Sequence, residues 1–403
     1  MQITIISNNY YPEDSGIGLY STGMAEFLAK THNVKVISAM PYYPQWEIYS
    51  EYKNKPKFYR ETINNVEVLR FKQYTPKNPT FLKRIFQMCH FFLGSIVNVF
   101  KIKKNDVVIV VMPFTISIIL GRLVKLFKGG KLLVHVQDFE FDAAFETGLS
   151  KKSGLLAKII FHVERFLLNR ADSVSTISYG MLKKLETKTS SSTSYFPNWI
   201  DYSKINPKTA KPNKLFDPNK FNILYSGNIG AKQDWEFFID FVKACQENNK
   251  IHICLIGEGA KRMEITEKIK NFSNCTYFPP VRYEELNDLL CNANLHILFQ
   301  KSTVVDTVMP SKILGMMASA KPSIVTGHKE SEVKYNFEIS NGGFYFYDEN
   351  KLNQIMKKIN HLIESPQESK EIGINARKFI VEKFSSEKIL STFMKELNYI
   401  TRK

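Results

Sequence analysis

Short apolar runs alternate with stretches of helical period along most of the chain. QITIIS (2–7), VKVIS (34–38), DVVIVV (106–111), KLLVHV (131–136) and DSVSTIS (172–178) are strand-like. Between them LYSTGMAEFLAK (19–30), 116–127 and 153–169 carry apolar residues three and four apart, the spacing of a helix with one buried face. A second series follows: FNILYS, IHICLIG, CTYFPP, NLHILFQ and PSIVTG, separated by helical stretches and followed by a final one over 385–401. Alternation of this kind predicts the α/β class, with mostly parallel sheets covered by helices on both faces. The two series are separated by residues 201–220, where Pro207, Pro212 and Pro218 stand among polar residues. That stretch reads as a linker. The low-complexity KTSSSTS (188–194) reads as a flexible loop.

The chemistry gathers where strands give way to helices. In YSGNIGAKQDWE (225–236), a strand end leads through Gly227 and Gly230 to the start of an apolar helical face. Such a turn presents free backbone N–H groups and the positive end of a helix, which suits a phosphate, and Lys232 adds a full charge. An ordinary turn with a surface lysine fits the same residues. Further on, Pro310, Ser311 and Lys312 precede the apolar ILGMMASA, which stops before Lys321 and Pro322. Proline at a helix start followed by hydroxyl and ammonium groups is a second anion site. Gly16 and Gly18 follow the first strand and would let backbone approach a ligand. His135, Asp138, Glu140 and Asp142 follow the strand KLLVHV, at the end of a parallel strand where ligands of such sheets bind. The three acids could instead cap a helix or bind a metal. Gly257 and Glu258, in the turn GEG, close another strand; a plain turn accounts for them as well. PYYPQW (41–46) suits sugar stacking or simple core packing.

Taken in order, PYYPQW, HVQDFEFDA (135–143), STIS (175–178), YFPNW (195–199), YSGNIGAKQ and PSK resemble glycosyltransferase family 4, and within it the colanic-acid type. The likeness runs through nearly the whole chain. It implies the GT-B fold, two Rossmann-like doubly wound domains facing a cleft. Residues 1–200 would bind the acceptor and 221–384 the nucleotide sugar, with 385–403 a helix packing back on the first domain. The implied activity is a retaining, metal-independent transfer from a nucleotide diphosphate sugar, GDP- or UDP-linked, with no further cofactor. The resemblance points to fucose or a related deoxy or amino sugar and to a lipid-linked oligosaccharide acceptor in surface-polysaccharide assembly. Carried onto this sequence, it makes Asp138, His135, Lys232 and Lys312 catalytic. Gly16, Gly18, Gly227, Asn228, Gly257, Glu258, Val281, Pro310, Ser311 and Glu332 join the two lysines on the donor, and Tyr42, Tyr43, Trp46, Glu140 and Asp142 hold the acceptor. No DxD motif is present, so the lysines and helix N–H groups would replace a divalent cation beside the departing diphosphate. One departure stands out: the two glutamates that many members carry around the phosphate-binding helix are Thr307 and Gly315 here. Asp306 and Glu332 are the nearby substitutes. A nucleotide-sugar epimerase of the same architecture and a non-catalytic nucleotide-binding homologue are the rival readings.

At 403 residues the chain has room for two domains, and 44% hydrophobic residues imply packed cores. Met1 leads straight into a strand-like run with no signal-peptide pattern, so a cytoplasmic location is expected. The five cysteines include no CxxC pair, which favours reduced core thiols over disulfides or zinc. The net charge of +16 asks for an anionic partner. Nucleic acid is disfavoured, because acids are scattered throughout and no basic run is interleaved with aromatics. A membrane surface fits better. Residues 81–128 carry eight Lys or Arg against the single acid Asp106. FLKRIFQMCHFFLGSIVNVFKIKK adds a wide apolar face, broken by Gln87, His90 and Asn98 and too short to span a bilayer. It predicts a helix lying on the inner face of the cytoplasmic membrane, with a core helix carrying basic ends as the alternative.

Overall fold

The computed structural model describes the chain except residues 140, 143–153, 304–310 and 403. The chain forms two compact units: residues 1–197 with 390–403, and residues 198–389.

The first unit is built on strands β1 (Gln2–Ser7), β2 (Asn33–Ala39), β3 (Phe58–Ile63), β4 (Val66–Phe71), β5 (Val107–Met112), β6 (Lys131–Val136), β7 (Ser173–Thr176) and β8 (Ser192–Tyr195). Their order in the sheet is β3-β4-β2-β1-β5-β6-β7-β8, parallel except for β3. Helices α1 (Gly16–Ala29), α2 (Ser50–Lys53), α3 (Phe81–Phe100), α4 (Ser117–Lys128), α5 (Leu155–Leu168) and α6 (Tyr179–Lys188) connect them. β1 and β5 lie in the middle, and the run VVIVVM of β5 is buried at every position, as a strand covered on both faces requires. β3 and β4 form a hairpin closed by Asn64 and Asn65, both at positive φ (47° and 65°). Asparagine tolerates that left-handed geometry, so two of them suit a tight hairpin turn.

Two expectations need correcting here. The serine/threonine stretch is not wholly a loop: Ser192–Tyr195 pairs with β7 as an edge strand. Pairing on one side satisfies its backbone, and that requires little of the side chains. In α3, Gln87 and Asn98 do not interrupt an outer apolar face. Both are buried on the inner one, where Asn98 Nδ2 donates to Leu69 O (3.3 Å).

The second unit has β9 (Phe221–Ser226), β10 (Ile251–Ile256), β11 (Cys275–Phe278), β12 (Leu295–Phe299), β13 (Ser323–Thr326) and β14 (Phe344–Phe346) in a wholly parallel sheet, order β11-β10-β9-β12-β13-β14. Its helices are α7 (Trp235–Cys245), α8 (Arg262–Ile269), α9 (Leu286–Asn292), α10 (Ser311–Ala318), α11 (Glu332–Ser340), α12 (Lys351–Glu364) and α13 (Pro366–Phe384). Residues 201–220, read as a linker, are part of this unit. Asn206 N and Lys211 N donate to Asn287 and Asp288 of α9 (2.7 and 2.9 Å), and Ile205 and Phe216 are buried in its core. The final helix, α14 (Ser386–Arg402), belongs to the first unit from Leu390 onward. There it buries Leu390, Phe393 and Leu397 and stacks Phe393 on Phe196, ring centroids 4.0 Å apart.

Candidate active site

In the second unit the loops after β9 and β10 interlock. Gly227 takes φ 126° and Gly257 φ 156°, both disfavoured for other residues. A Cβ on Gly257 would lie 1.9 Å from the carbonyl oxygen of Gly227, so the two loops touch backbone to backbone. Ile229 N donates to Glu258 O (2.8 Å), which fastens them. The Glu258 carboxylate is turned outward to Arg262 (2.7 Å). What this residue gives the loop is its backbone.

Lys312, in the first turn of α10, reaches across that loop. A Cβ on Gly227 would meet its Cε at 2.4 Å, so the glycine is required by the lysine's path. Its Nζ donates to Tyr225 Oη (3.0 Å) and Asn228 O (3.3 Å) and sits 4.6 Å from the centre of the Tyr225 ring. Tyr225 Oη in turn donates to Asn228 O (2.7 Å). No carboxylate pairs with this ammonium among the described residues. Although Lys312 is half-buried as a residue, desolvation around the amine brings its pKa down to about 7. An anion placed here would supply the missing counter-charge. Ser311 is exposed at the helix start, and so is Lys232 in the turn before α7, whose ammonium has no partner among the described residues. Val281 and Glu332 are half-buried, the latter in the first turn of α11 behind the Ser331 cap. Pro310 lies outside the described residues, as do Asp306 and Thr307. Gly315 faces Leu290, whose Cδ1 would be 3.2 Å from an added Cβ.

In the first unit a buried carboxylate organises the loops. Glu13 Oε1 accepts from Tyr42 N (2.7 Å) and Tyr43 N (2.8 Å), and Oε2 accepts from Asn9 Nδ2 (2.8 Å). Gly18 sits so close that a Cβ there would be 2.7 Å from Glu13 O, while Gly16, at φ 54°, has open space beside it. Tyr42 is buried and its Oη accepts from Asn8 Nδ2 (2.8 Å). It therefore supports the loop from inside and cannot stack on an acceptor sugar. Tyr43 and Trp46 are half-exposed, with the Arg84 guanidinium 5.7 Å from the centre of the Trp46 ring.

At the end of β6 the expected cluster divides. His135 is buried, with Nδ1 2.9 Å from Ser175 Oγ and Nε2 2.9 Å from Gln137 Nε2. Burial pulls its pKa down to about 3, so it is a neutral hydrogen-bonding brace with no access to substrate. Asp142 is also withdrawn. Burial would raise its pKa, but Lys184 and Lys188, each at 2.8 Å, outweigh burial and hold it below the usual carboxylate range. Lys188 bonds Glu164 as well, so this is a structural ion network. Asp138 remains half-exposed with no partner for its carboxylate among the described residues. Glu140 lies outside them.

Residues 15–199 match the family described as glycosyl transferase 4-like domain, and residues 220–365 that described as glycosyl transferases group 1. WcaI of Escherichia coli K12, a putative colanic acid biosynthesis glycosyl transferase, is 33% identical over 348 residues, 83% of this chain and 85% of that one. The chain belongs to glycosyltransferase family 4. Its fold is GT-B, as in sucrose-phosphate synthase of Thermosynechococcus elongatus (TM-score 0.75, 14% identity, 99% of both chains). HepE of Anabaena, in complex with UDP-glucose, is a further likeness (TM-score 0.68, 14% identity, 99% of this chain and 100% of that one).

Two residues of this family 4 transferase escaped the sequence reading. Tyr225 meets Lys312 only through the tertiary fold, although its place in YSGN marked it as near the turn. Glu13 had a visible signal, an acid between Pro12 and the Gly16/Gly18 pair. Burial raises its pKa to about 7, partly offset by its three hydrogen bonds. Because the folded pKa lies above the unfolded one, the fold binds the extra proton between about pH 4.5 and 7 and loses stability as pH rises through that window. Glu13→Gln removes this titration while keeping one acceptor oxygen for the Tyr42 and Tyr43 N–H groups. From pH 5 to pH 8, denaturant unfolding will therefore show the variant gaining on the wild type by on the order of 2 kcal/mol. A pH-independent difference would place the carboxylate's titration outside that window.

Proposed function

We propose that this glycosyltransferase moves fucose, or a related deoxy or amino sugar, from a GDP- or UDP-linked donor to a lipid-linked oligosaccharide in surface-polysaccharide assembly. Transfer retains the anomeric configuration and uses no metal ion. The observation that carries the donor half is Lys312, an ammonium without a counter-charge laid across the glycine turn of β9. When the anomeric C–O bond breaks, negative charge collects on the departing diphosphate. Lys312 and Lys232, with the N–H groups at the start of α10, stabilise that charge more than they stabilise the bound donor. Asp138 is the acceptor-side carboxylate, and Tyr43 and Trp46 offer the acceptor exposed aromatic surface. The relative named for colanic acid biosynthesis supports the polysaccharide setting, and the UDP-glucose complex of HepE supports a nucleotide sugar as donor.

The outer face of the first unit supports a lipid-linked acceptor. Leu82, Phe86, Leu93, Val97 and Phe100 of α3 are exposed, Leu82 at 75%. Leu126 and Phe127 of α4 and Ile159, Val163 and Phe166 of α5 are exposed too. These helices are neighbours, α3 touching α4 and α4 touching α5, and the Phe100 and Phe127 rings lie 5.7 Å apart. Exposed cations lie among them: Lys83, Lys101, Lys103, Lys104, Arg122 and Lys158. Apolar side chains ringed by cations suit the headgroup boundary of an anionic leaflet, here the inner face of the cytoplasmic membrane, where a lipid-linked acceptor keeps its pyrophosphate. No helix among the described residues is long and apolar enough to cross a membrane.

Transfer from a panel of GDP- and UDP-sugars to extracted lipid-linked oligosaccharide, in excess chelator, tests the proposal. Labelled sugar is expected in the lipid fraction with no metal added. Activity that vanishes in chelator and returns with Mg²⁺ or Mn²⁺ would overturn the metal-free mechanism. Transfer to soluble glycans alone would overturn the acceptor class.

A further inference from the structure

Parallel strands give the second unit two distinct ends, and the glycine–lysine cradle occupies the end where β9 and β10 finish. The opposite end, where strands begin, holds a cavity of about 920 Å³. Phe221 opens β9 there, while Asn294 and Pro322 immediately precede β12 and β13. Its walls carry Lys208, Lys321, Lys370 and Arg377, and no carboxylate among the described residues lines it. Arg377 is spent on structure, donating to the carbonyls of Ile205, Ala318 and Tyr202. The three lysine ammoniums have no hydrogen-bond or ion-pair partner among the described residues. Burial pulls the Lys321 amine below the ordinary lysine range, which an anion at the site would reverse. Pro366, Ser369 and Lys370 bring the first turn of α13 to the wall, with its positive helix end. Phe221, Leu362, Ile374 and Val381 give the cavity an apolar wall, beside the polar Asn206, Asn294 and Ser319. A cavity of this size fits a small molecule.

We infer that this cavity is a second ligand site, separate from the donor cradle, for a small organic phosphate whose apolar body lies against Phe221 and Ile374 and whose phosphate meets Lys321, Lys370 and the start of α13. Three ammoniums without a carboxylate would repel one another if left together, so a doubly negative group is the complementary charge. The apolar wall asks for more than inorganic phosphate. Residues just after the first crossing between units (Tyr202 and Asn206) and just before the second (Val381) share the lining. A bound ligand would therefore join the two segments through which the chain passes between units.

Cys291, buried in the wall as a free thiol, supplies the readout. Hexyl phosphate is the probe, with hexanol and inorganic phosphate as controls, and binding is followed by calorimetry and by alkylation of the Cys291 peptide in mass spectrometry. Hexyl phosphate should bind saturably, slow Cys291 alkylation, and keep its affinity in saturating UDP or GDP. The double variant Lys321→Gln/Lys370→Gln should bind it roughly tenfold or more weakly, as loss of charge-assisted bonds implies. The variant's circular dichroism and nucleotide affinity should match the wild type, which separates a lost site from a lost fold. Equal affinity in the double variant, displacement by nucleotide, equal binding of inorganic phosphate or hexanol, or no saturable binding would each overturn the inference.

Discussion

Lys312→Ala will lower kcat by roughly a hundredfold or more, the cost of losing one strong donor to transition-state charge. The fold should survive, because Tyr225 Oη keeps its own bond to Asn228 O and the loop stays anchored by Ile229 N to Glu258 O. The amine, held near pKa 7 by desolvation, is only partly protonated in the free enzyme at neutral pH. A diphosphate arriving beside it will draw in a proton, so nucleotide binding at pH 8 should show proton uptake as a buffer-dependent enthalpy that the variant lacks. Lys232→Ala should cost less, about tenfold, because an exposed ammonium is screened by water and salt. Steady-state kinetics with saturating donor settle it. A Lys312→Ala enzyme within a few-fold of wild type would move the diphosphate elsewhere.

The second large effect concerns the membrane. Neutralising the exposed Lys83, Lys101, Lys103 and Lys104 together removes about 1 kcal/mol of attraction per cation to an anionic leaflet, or several kcal/mol in all. Co-sedimentation with anionic vesicles should then fall by roughly a thousandfold in affinity, and wild-type binding should weaken as salt rises. Replacing Phe86, Phe127 and Phe166 by serine should weaken binding further without changing the salt dependence, since those side chains contribute by burial and carry no charge. Turnover of a short water-soluble acceptor should survive both sets. Equal vesicle binding by the charge variant and the wild type would reduce the outer face of α3 to an ordinary solvated surface.

Much of the fold could be read from the chain, for a simple reason. Strands buried on both faces must be apolar along their whole length, as β5 is, and helices between them must repeat at helical spacing. Turns that demand positive φ leave glycine behind, so Gly227 and Gly257 marked the cradle in advance. The β3–β4 hairpin was equally legible through Asn64 and Asn65, although it breaks the βα alternation of its neighbours. What stayed hidden depends on contacts between distant segments. Asp142 looked like a partner for substrate until α6 brought Lys184 and Lys188 to it. His135 looked catalytic because strand ends point at ligands, but its own ring lies beneath the surface against Phe196. α3 needed both readings at once: it has a core-facing side with Phe91 and Gln87, and an exposed apolar side with Phe86 and Phe100. Periodicity along one helix cannot say which of two apolar faces finds a partner.

The diphosphate of a nucleotide sugar is expected on the glycine turn of β9, against Lys312. Thermal or denaturant unfolding with a panel of nucleotide sugars measures this directly, because a donor at 100 times its dissociation constant adds about 2.7 kcal/mol to stability. At least one GDP- or UDP-sugar should stabilise the wild type by that amount, and Lys312→Ala should lose most of the gain at the same concentration. Equal stabilisation of the two proteins by the same nucleotide sugar would contradict the account.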